Sequence, residues 1–574
     1  MQTRERVWGE ATAFLERFRR VGWFDFVLLA GFVGVVFGLL SLAGEWRTLR
    51  PAVHIDLSPS ALPIYVFYSL SRGLLAYVLS LAFTLSYGFW AAKDPIAERV
   101  LLPLLDILQS IPVLGFMPGI VLALVSLFPR SNIGLELASI LMIFSGQAWN
   151  MTFSFYHSLR SLPKDQIEAA TIYRFDWWQK LRWVELPFAT IGLVWNSMMS
   201  MAGGWFFLMI TESFVLGSKD FRLPGIGSYM SVAVARGDVR AMIWAVVAMI
   251  LMIVFLDQLL WRPVVVWSQK FRVEEGSNEQ IASSWVYDWL RRSSLLEWLG
   301  EIGNRLFRRA TRPAKAPAEE RPASRWSGTL SLFLFVTLIA LMLFGAWRLI
   351  AILRHLSWQE FLPILRSGGW TLGRVLLSTA LGTLWALPAG LAIGLSPRLS
   401  RVFQPIVQIA ASFPAPMLFP LVIALLKAGG VTLDWGSVVL MLLGTQWYIL
   451  FNVIAGAMAI PADLREASQS YRLGMRLRAT SLYLPAVFPY LVTGWVTAAG
   501  GAWNASIVAE YVTFKGRVFA ANGLGAQISL AAEHADFPRL AACVMVMAAI
   551  VVLFNRTIWR WCYRIAEEQF SLSK

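Results

Sequence analysis

Cysteine, histidine and charged residues are scarce in this chain of 574 residues. Cys543 and Cys562 are the only cysteines, one inside and one just past the last apolar segment, and none of the four histidines is paired at the spacing of metal ligands. These counts give no support to a disulfide framework or to a cysteine- or histidine-based metal site. The sequence therefore predicts no metal in this chain, and both cysteines are interpreted as packing residues.

Motifs for nucleotide binding and catalysis are also missing. No Gly-Lys dipeptide occurs anywhere in the sequence, so there is no Walker A loop to hold phosphates. No set of nucleophile and base, and no His/Cys/Asp cluster, recurs in both halves of the chain. The chain is therefore predicted not to be an enzyme and to hold no cofactor of its own.

Hydrophobic residues, in contrast, make up 57% of the chain, and charged residues only 15%. A soluble core cannot bury this much apolar surface, so most of it is expected to face lipid. About twelve segments approach the roughly 20 apolar residues that a helix needs to cross a bilayer. The predicted fold class is an all-α integral membrane protein with about twelve transmembrane helices. The predicted spans are 24–43, 64–91, 104–127, 135–155, 188–215, 241–264, 330–350, 372–395, 406–426, 437–459, 486–509 and 540–558.

The formal net charge of +15 follows the ends of these spans. Basic residues cluster before the first span, between the two halves and after the fourth and tenth spans, which is typical of cytoplasmic loops. This distribution places both termini in the cytoplasm and argues against nucleic-acid binding. The first span is longer than the apolar core of a secretory signal and follows some twenty polar residues, so we interpret it as a retained helix.

A polar stretch occurs twice. Glu168-Ala169-Ala170 leads to Leu186-Pro187, and Glu466-Ala467-Ser468 leads to Leu484-Pro485, at a constant offset of 298 (residue 466 against residue 168). Many further residues match at this offset or, earlier in each half, at 302 (Arg374 against Arg72). Because each half holds an even number of predicted spans, the halves are predicted to be parallel repeats.

These repeats predict a division into three parts. Residues 1–267 form the first repeat, with its polar loop near 160–187, and residues 328–574 form the second, with its loop near 460–485. Between them, 268–327 is a polar linker. Apolar and charged residues alternate at helical spacing in 281–307, which predicts an amphipathic helix lying on the inner leaflet.

The repeated Glu-Ala-Ala/Ser stretch, set between the fourth and fifth spans of a six-span unit, resembles the EAA loop of ABC-importer permeases. The later Trp205…Glu212…Gly225-Ile226-Gly227 and its copy Trp503…Glu510…Gly523-Leu524-Gly525 look like the nitrate/sulfonate/taurine branch of those permeases. The resemblance covers nearly the whole chain twice, as a fused, duplicated permease of the anion-transport type. Both copies depart from the family by having an arginine, Arg174 or Arg472, where glycine is usual six residues after the glutamate. Gly474 lies near this position in the second copy only.

The resemblance implies a type I ABC importer permease in the bacterial inner membrane, carrying a small anion such as nitrate, a sulfonate, taurine or bicarbonate. It also implies two cytoplasmic ATPase subunits, which bind ATP and Mg, and a periplasmic or lipid-anchored substrate-binding protein. The residues implied to couple to the ATPases are Glu168, Ala169, Ala170, Arg174, Leu186, Pro187, Glu466, Ala467, Ser468, Arg472, Gly474, Leu484 and Pro485. The rival hypothesis is an ion-gradient-driven secondary transporter built from parallel repeats, which leaves the paired loops unexplained.

Polar and aromatic side chains within spans are the candidates for a solute pathway, because such groups are costly in lipid unless they have a partner or a role. The candidates are Gln147, Trp149, Asn150, Glu212, Gln446, Trp447, Asn452, Trp503, Asn504 and Glu510. For the amides and indoles, the alternative is hydrogen bonding between helices. For the two glutamates, the alternative is an ion pair that holds the outer loop.

Two further features of the spans give predictions. Arg72 and Arg374 lie near the outer ends of their spans and are expected to extend toward the lipid headgroups. Prolines at 112 and 118, and at 414, 416 and 420, are expected to break the third and ninth spans, which frees backbone groups to line a cavity.

The topology predicts from which side the linker is accessible. A cysteine placed in 268–327, in a chain whose own two cysteines are replaced by serine, should react with a membrane-impermeant maleimide only in inverted vesicles. Labelling from the outside of intact cells would contradict the predicted orientation.

Overall fold

The computed structural model describes residues 54–110, 112–216, 219–271, 284–292, 325–354, 356–514 and 517–570. The predicted span 24–43 and most of the predicted linker helix lie outside these residues. Within them, the chain is helical apart from two short β-hairpins and the connecting loops, which confirms the predicted all-α membrane class. The boundaries of the three predicted parts stay a prediction.

The first half of the described chain contains ten helices and one hairpin. The helices are α1 (Leu62–Lys93), α2 (Pro95–Ser110), α3 (Val113–Leu127), α4 (Ile133–Arg160), α5 (Lys164–Ile172), α6 (Trp177–Lys180), α7 (Leu186–Thr211), α8 (Ile226–Arg236), α9 (Val239–Leu256) and α10 (Arg262–Ser268). Strands β1 (Ser213–Leu216) and β2 (Lys219–Arg222) pair antiparallel between α7 and α8. The described part of the linker carries α11 (Trp285–Leu290).

The second half repeats this order after one additional long helix. Its helices are α12 (Arg325–Leu353), α13 (Trp358–Leu395), α14 (Pro397–Ser412), α15 (Phe419–Ala428), α16 (Leu433–Met458), α17 (Ala462–Ser470), α18 (Met475–Arg478), α19 (Leu484–Ala509), α20 (Leu524–Glu533), α21 (Phe537–Phe554) and α22 (Arg560–Gln569). Strands β3 (Tyr511–Phe514) and β4 (Arg517–Ala520) form the matching hairpin.

The duplication extends to irregular details of the backbone. A π-helical turn at Leu181–Glu185 precedes α7, and its counterpart at Ala479–Tyr483 precedes α19. A second pair, at Asp257–Trp261 and Asn555–Trp559, follows α9 and α21. All four keep the offset of 298, as do the two hairpins. The sequence reasoning missed the hairpins and extended the span 188–215 into β1, although short runs of aromatic and β-branched residues mark both.

Each half is built around a central helix. α4 packs between α1 and α7, and α16 packs between α13 and α19. The halves also contact each other, because α14 of the second half lies against α7, while α3 of the first half lies against α19. A single hydrophobic core joins them, and it includes Trp205 and Met201 from α7 together with Trp503 and Ala502 from α19.

Helix starts are specified by local side chains. Asp238 accepts a hydrogen bond from the backbone N–H of Ala241 at the start of α9, and Asp536 does the same for Arg539 at the start of α21. Such caps satisfy one of the free N–H groups of a first turn and stabilise a helix by about 1 kcal/mol. The same side chain therefore fixes the entry to the last long helix of each half.

Proline interrupts two predicted spans, as expected, but not at every proposed position. Pro112 lies at the junction of α2 and α3, and Pro414 lies in the break between Pro397–Ser412 and Ala415–Ala428, across which the chain bends by 81°. Pro118 and Pro420 instead lie within α3 and near the start of α15 without ending either helix. Seven described helices, or eight with the bent pair, have the length and composition to cross a membrane, so the count of twelve stays a prediction.

Candidate functional site

The two predicted coupling loops fold as matching short helices. Pro163 and Pro461 occupy the N-cap positions of α5 and α17, where a fixed φ suits the start of a helix. Glu168 and Glu466 are exposed on these helices, together with Ala169 and Ala467. Ala170 and Ser468 are buried and face the protein. The arrangement leaves one polar, small-residue face of each helix open.

Arg174 and Arg472 adopt the left-handed conformation that glycine usually provides, with φ of 55° and 50°. In the first copy, the backbone N–H of Phe175 donates to the carbonyl of Ala170, and that of Arg174 donates to Thr171. The second copy makes the same two bonds, from Leu473 and Arg472. This is a Schellman motif, so the departure from the family changes the side chain and keeps the turn.

After this turn, each loop continues directly into a long helix. Asp176 caps α6 through a reciprocal pair of hydrogen bonds with Gln179, and Gly474 takes the corresponding N-cap position of α18. A π-helical turn follows in both copies, and Leu186-Pro187 and Leu484-Pro485 then begin α7 and α19. A wide turn thus joins each coupling loop to the long helix of its own half.

Exposed apolar side chains surround both loops. Tyr173 and Tyr471 are 75% and 81% exposed at matching positions, and Ile172, Trp177, Leu464 and Met475 are also exposed. In the second copy, the Nε donors of Arg465 and Arg478 are buried without an acceptor in the described structure. An exposed apolar patch is typical of a surface that another protein covers.

At the opposite end of α1 and α4, a buried ion-pair network joins the elements of the first half. Arg72 donates to both carboxylate oxygens of Glu136 at 2.6 and 2.8 Å, and to Glu212 Oε1 at 2.7 Å. Ser69 Oγ donates to the same oxygen of Glu212 at 2.6 Å, and Glu212 Oε2 accepts from the N–H of Gly227 at 2.7 Å. We call these five residues the first clamp. It ties α1, the start of α4, the end of α7 and the start of α8 together.

The second half contains the same network with two conservative changes, and we call it the second clamp. Arg374 donates to Asp434 Oδ1 at 2.6 Å and to Glu510 Oε1 at 2.8 Å. Thr371 Oγ1 donates to Glu510 at 2.9 Å, and the N–H of Gly525 donates to Glu510 Oε2 at 2.8 Å. The shorter Asp434 replaces the glutamate of the first clamp, and its side chain is 40% exposed. The second clamp is therefore the more open of the two.

The clamps explain the Gly-x-Gly pairs in physical terms. A Cβ atom on Gly225 or Gly523 would lie within 3.0 Å of the carboxylate of Glu212 or Glu510. Glycine lets the backbone approach the carboxylate and donate its N–H groups at the start of α8 and α20, where the helix dipole also favours a negative charge.

The prediction that Arg72 and Arg374 extend toward the headgroups is wrong. Arg72 is completely buried and its guanidinium points to two carboxylates, while the Arg374 side chain is only 8% exposed. Glu212 and Glu510 are completely buried as well. The geometry matches the ion-pair alternative for these glutamates; a direct contact with solute stays a prediction.

A central cavity of about 250 Å³ lies between the two halves. Five of the predicted pathway residues line it, namely Trp149, Asn150, Trp447, Trp503 and Asn504. The other five lie elsewhere: Glu212 and Glu510 belong to the clamps, Gln147 contacts Ser80 and Met201, Gln446 accepts from the Trp385 indole, and Asn452 donates to the Tyr448 carbonyl. The sequence could only partly distinguish residues that line the cavity from residues that bond neighbouring helices, because both kinds are polar or aromatic residues in apolar helices.

Several lining residues were missed, and internal symmetry is the signal that could have found them. Asp106 and Gln408 line the cavity at positions related by the offset of 302, and Asn150 and Tyr448 at positions related by 298. The cavity therefore lies where equivalent surfaces of the two repeats meet. The differing residue types at these matched positions hid the relationship.

The second clamp should depend on its buried charge pair. Arg374→Gln leaves Glu510 buried without its cation, which costs about 3–5 kcal/mol. The thermal midpoint of the chain in lipid nanodiscs should fall by roughly 2–4 °C. Arg366→Gln, which removes an exposed arginine from the same helix, should leave the midpoint unchanged. Equal melting of the two variants would contradict the clamp.

The left-handed turns should respond to glycine. Arg472→Gly removes a conformational cost of about 1 kcal/mol, so hydrogen exchange at the amides of 471–473 should slow about fivefold. Arg472→Val should accelerate it, because a β-branched residue is strained at positive φ. Arg472→Lys is the control, because lysine keeps the conformational cost of the left-handed position. Slower hydrogen exchange in the valine variant would refute the turn geometry.

Comparisons with known proteins agree with the duplicated architecture. Residues 84–260 and 380–567 each match the family model described as "Binding-protein-dependent transport system inner membrane component". Among curated relatives, the chain is 24% identical to the taurine transport system permease protein TauC of Escherichia coli, over 32% of this chain and 64% of TauC. It is 27% identical to the nitrate import permease protein NrtB of Leptolyngbya laminosa, over 27% of this chain and 59% of that protein.

A third relative is the bicarbonate transport system permease protein CmpB of Synechocystis, 26% identical over 33% of this chain and 64% of CmpB. The matched stretches thus span about six-tenths of the length of these relatives. The family model, however, matches more than half of this chain, in two successive copies. The chain therefore belongs to the family of binding-protein-dependent transport system inner membrane components, the ABC-importer permeases, and it carries the family's unit twice.

Proposed function

We propose that this chain is the transmembrane permease subunit of an ATP-driven importer, with α5 and α17 as docking sites for two cytoplasmic ATPase subunits. ATP and Mg are bound by those subunits, since this chain has no Walker A loop. A periplasmic or lipid-anchored binding protein delivers the solute on the other side. The complex resides in the bacterial inner membrane with both termini of this chain in the cytoplasm.

The observation that carries this proposal is the pair of equivalent exposed helices at one end of the molecule. Each presents a glutamate, a small residue and a neighbouring tyrosine to the outside, at positions related by the same offset. A connector without a partner would not need this surface twice. Two copies of the surface call for two copies of the partner.

The fold supplies a route by which a docked motor can move the pathway. A displacement of α5 passes through its Schellman turn and the π-helical turn to α7, which lines the central cavity through Phe206. The same sequence of elements leads from α17 to α19 and Trp503. The clamps at the far end hold α1, α4 and α7, or α13, α16 and α19, together. Each half is thereby suited to move as a unit about the cavity.

The solute passes through this cavity by alternating access between the two halves. We expect a small polar solute, of the range to which taurine, nitrate and bicarbonate belong in the relatives. The ten pathway candidates divide accordingly: the five that line the cavity are proposed to face the solute, and the rest to shape the helices around it.

The docking assignment can be tested by removing both exposed glutamates. In the double variant Glu168→Ala and Glu466→Ala, ATPase subunits should co-purify at least tenfold less, a loss equivalent to about 1.4 kcal/mol, and solute-stimulated ATP hydrolysis should disappear. The measurement is ATPase recovery and turnover per mole of chain, purified from the native host in nanodiscs.

A matched control removes two other carboxylates at the same end. Glu567 and Glu568 are exposed on α22, whose end is tied to α19 by the contact of Phe570 with Phe488. Glu567→Ala with Glu568→Ala should retain the ATPases. Undiminished co-purification and transport in the first double variant would refute the docking site, and transport without any associated ATPase would favour a secondary transporter.

A further inference from the structure

The central cavity is lined by many aromatic side chains. Its wall includes the aromatic side chains of Trp149, Trp447, Trp503, Tyr448 and Phe206. Trp149 and Trp447 are equivalent in the two repeats, so the cavity has an aromatic wall on each side of the interface between the halves.

The two equivalent indoles are held in fixed orientations. The ring of Trp149 meets that of Phe83 edge to face, with centroids 6.0 Å apart and an interplanar angle of 89°. The ring of Trp447 meets Trp385 in the same way, at 6.1 Å and 86°, and its N–H donates to the Leu443 carbonyl. Edge-to-face contacts of this kind are stabilising. The aromatic walls are therefore pre-formed.

The charged groups that line the cavity favour a cation over an anion. Within the described residues, no lysine, arginine or histidine lines the cavity, whereas the carboxylate of Asp106 does. The basic residues that the structure describes lie elsewhere. An inorganic anion in this cavity would find amide and hydroxyl groups but no cation to replace its hydration, and such a transfer is costly. The lining instead suits a positive charge, which an aromatic face attracts.

One donor in the wall has no protein acceptor. The indole Nε1 of Trp149 is buried and unpaired in the described structure, and the amide of Asn150 lines the cavity beside it. A buried donor generally finds an acceptor in a protein, a water or a ligand. Because this nitrogen has almost no accessible surface, the donor beside it that can reach a bound solute is the Asn150 amide.

We propose that the central cavity binds a small organic zwitterion, with its ammonium group against the aromatic walls and its acid group toward the uncharged donors, in preference to an inorganic anion. This inference rests on the proposed importer function and narrows its solute class. Discrimination against inorganic anions then resides partly in the permease, since none of the described residues that line the cavity is cationic.

The test is equilibrium binding to the full chain in nanodiscs without ATPase or binding protein. Radiolabelled trimethylglycine and taurine are the zwitterionic probes, and nitrate and bicarbonate are the competitors. Each compound is titrated up to about 50-fold above the dissociation constant of the probe, or up to roughly 0.1 M where no saturation is reached. We expect at least one zwitterion to bind and neither inorganic anion to displace it. Tighter binding of nitrate or bicarbonate, or binding of no zwitterion, would overturn the proposal.

Three variants locate the binding. Trp447→Leu removes an aromatic wall and should weaken zwitterion binding about tenfold, as expected for the loss of a desolvated cation–π contact. Trp447→Phe keeps a ring and should weaken it less. Gln408→Lys adds a cation to the wall and should weaken zwitterion binding while strengthening nitrate binding.

A matched control guards against general damage. Trp358→Leu replaces a tryptophan that is 82% exposed, outside the cavity, and should leave binding unchanged. Zwitterion binding that is insensitive to the Trp447 and Gln408 variants would also refute the site. ATPase recovery with these variants reports separately on the importer function, so the two proposals can fail independently.

Discussion

The structure depends on a buried arginine that binds two carboxylates in each half of the chain. Arg72 and Arg374 carry their charge into the protein interior, where an unpaired guanidinium would be strongly destabilising. Each is neutralised by one carboxylate from the start of the central helix and another from the end of the following long helix. Three helices and the loop after them are thereby fixed at one end, and the Gly-x-Gly pairs exist to let the backbone approach.

The clamps also limit how each half of the molecule can move. The clamps lie at one end of α4 and α16, and the short exposed helices α5 and α17 follow the other end. α4 alone spans 28 residues, or roughly 40 Å at 1.5 Å per residue. Between these ends, the halves meet around the central cavity. Under the proposed docking of a partner on α5 and α17, a half tied at the clamp would rotate as a body, because packed interiors transmit displacement with little compression.

The two halves share many details of backbone structure but differ in the side chains that line the cavity. The π-helical turns, hairpins, Schellman turns and clamps recur at fixed offsets, while the cavity is lined by Asp106 in one half and Gln408 at the equivalent position, and by Asn150 and its equivalent Tyr448. Such a division is expected when a duplicated framework must move symmetrically but the bound solute is itself asymmetric. The functional differences are concentrated in a few lining side chains, and the second clamp is the more open one.

The sequence by itself determined the membrane class, the duplication and the proline breaks at Pro112 and Pro414. These features depend on composition, on fixed offsets and on local backbone preferences, all of which can be read along one chain. It failed on Arg72, whose place near a span end suggested the headgroups, and it could not separate Trp447 at the cavity from Gln446 beside it. Only the tertiary structure decided those points. The partners of Arg72 lie 64 and 140 residues away, and the direction in which a helix face points is set by the helices packed against it.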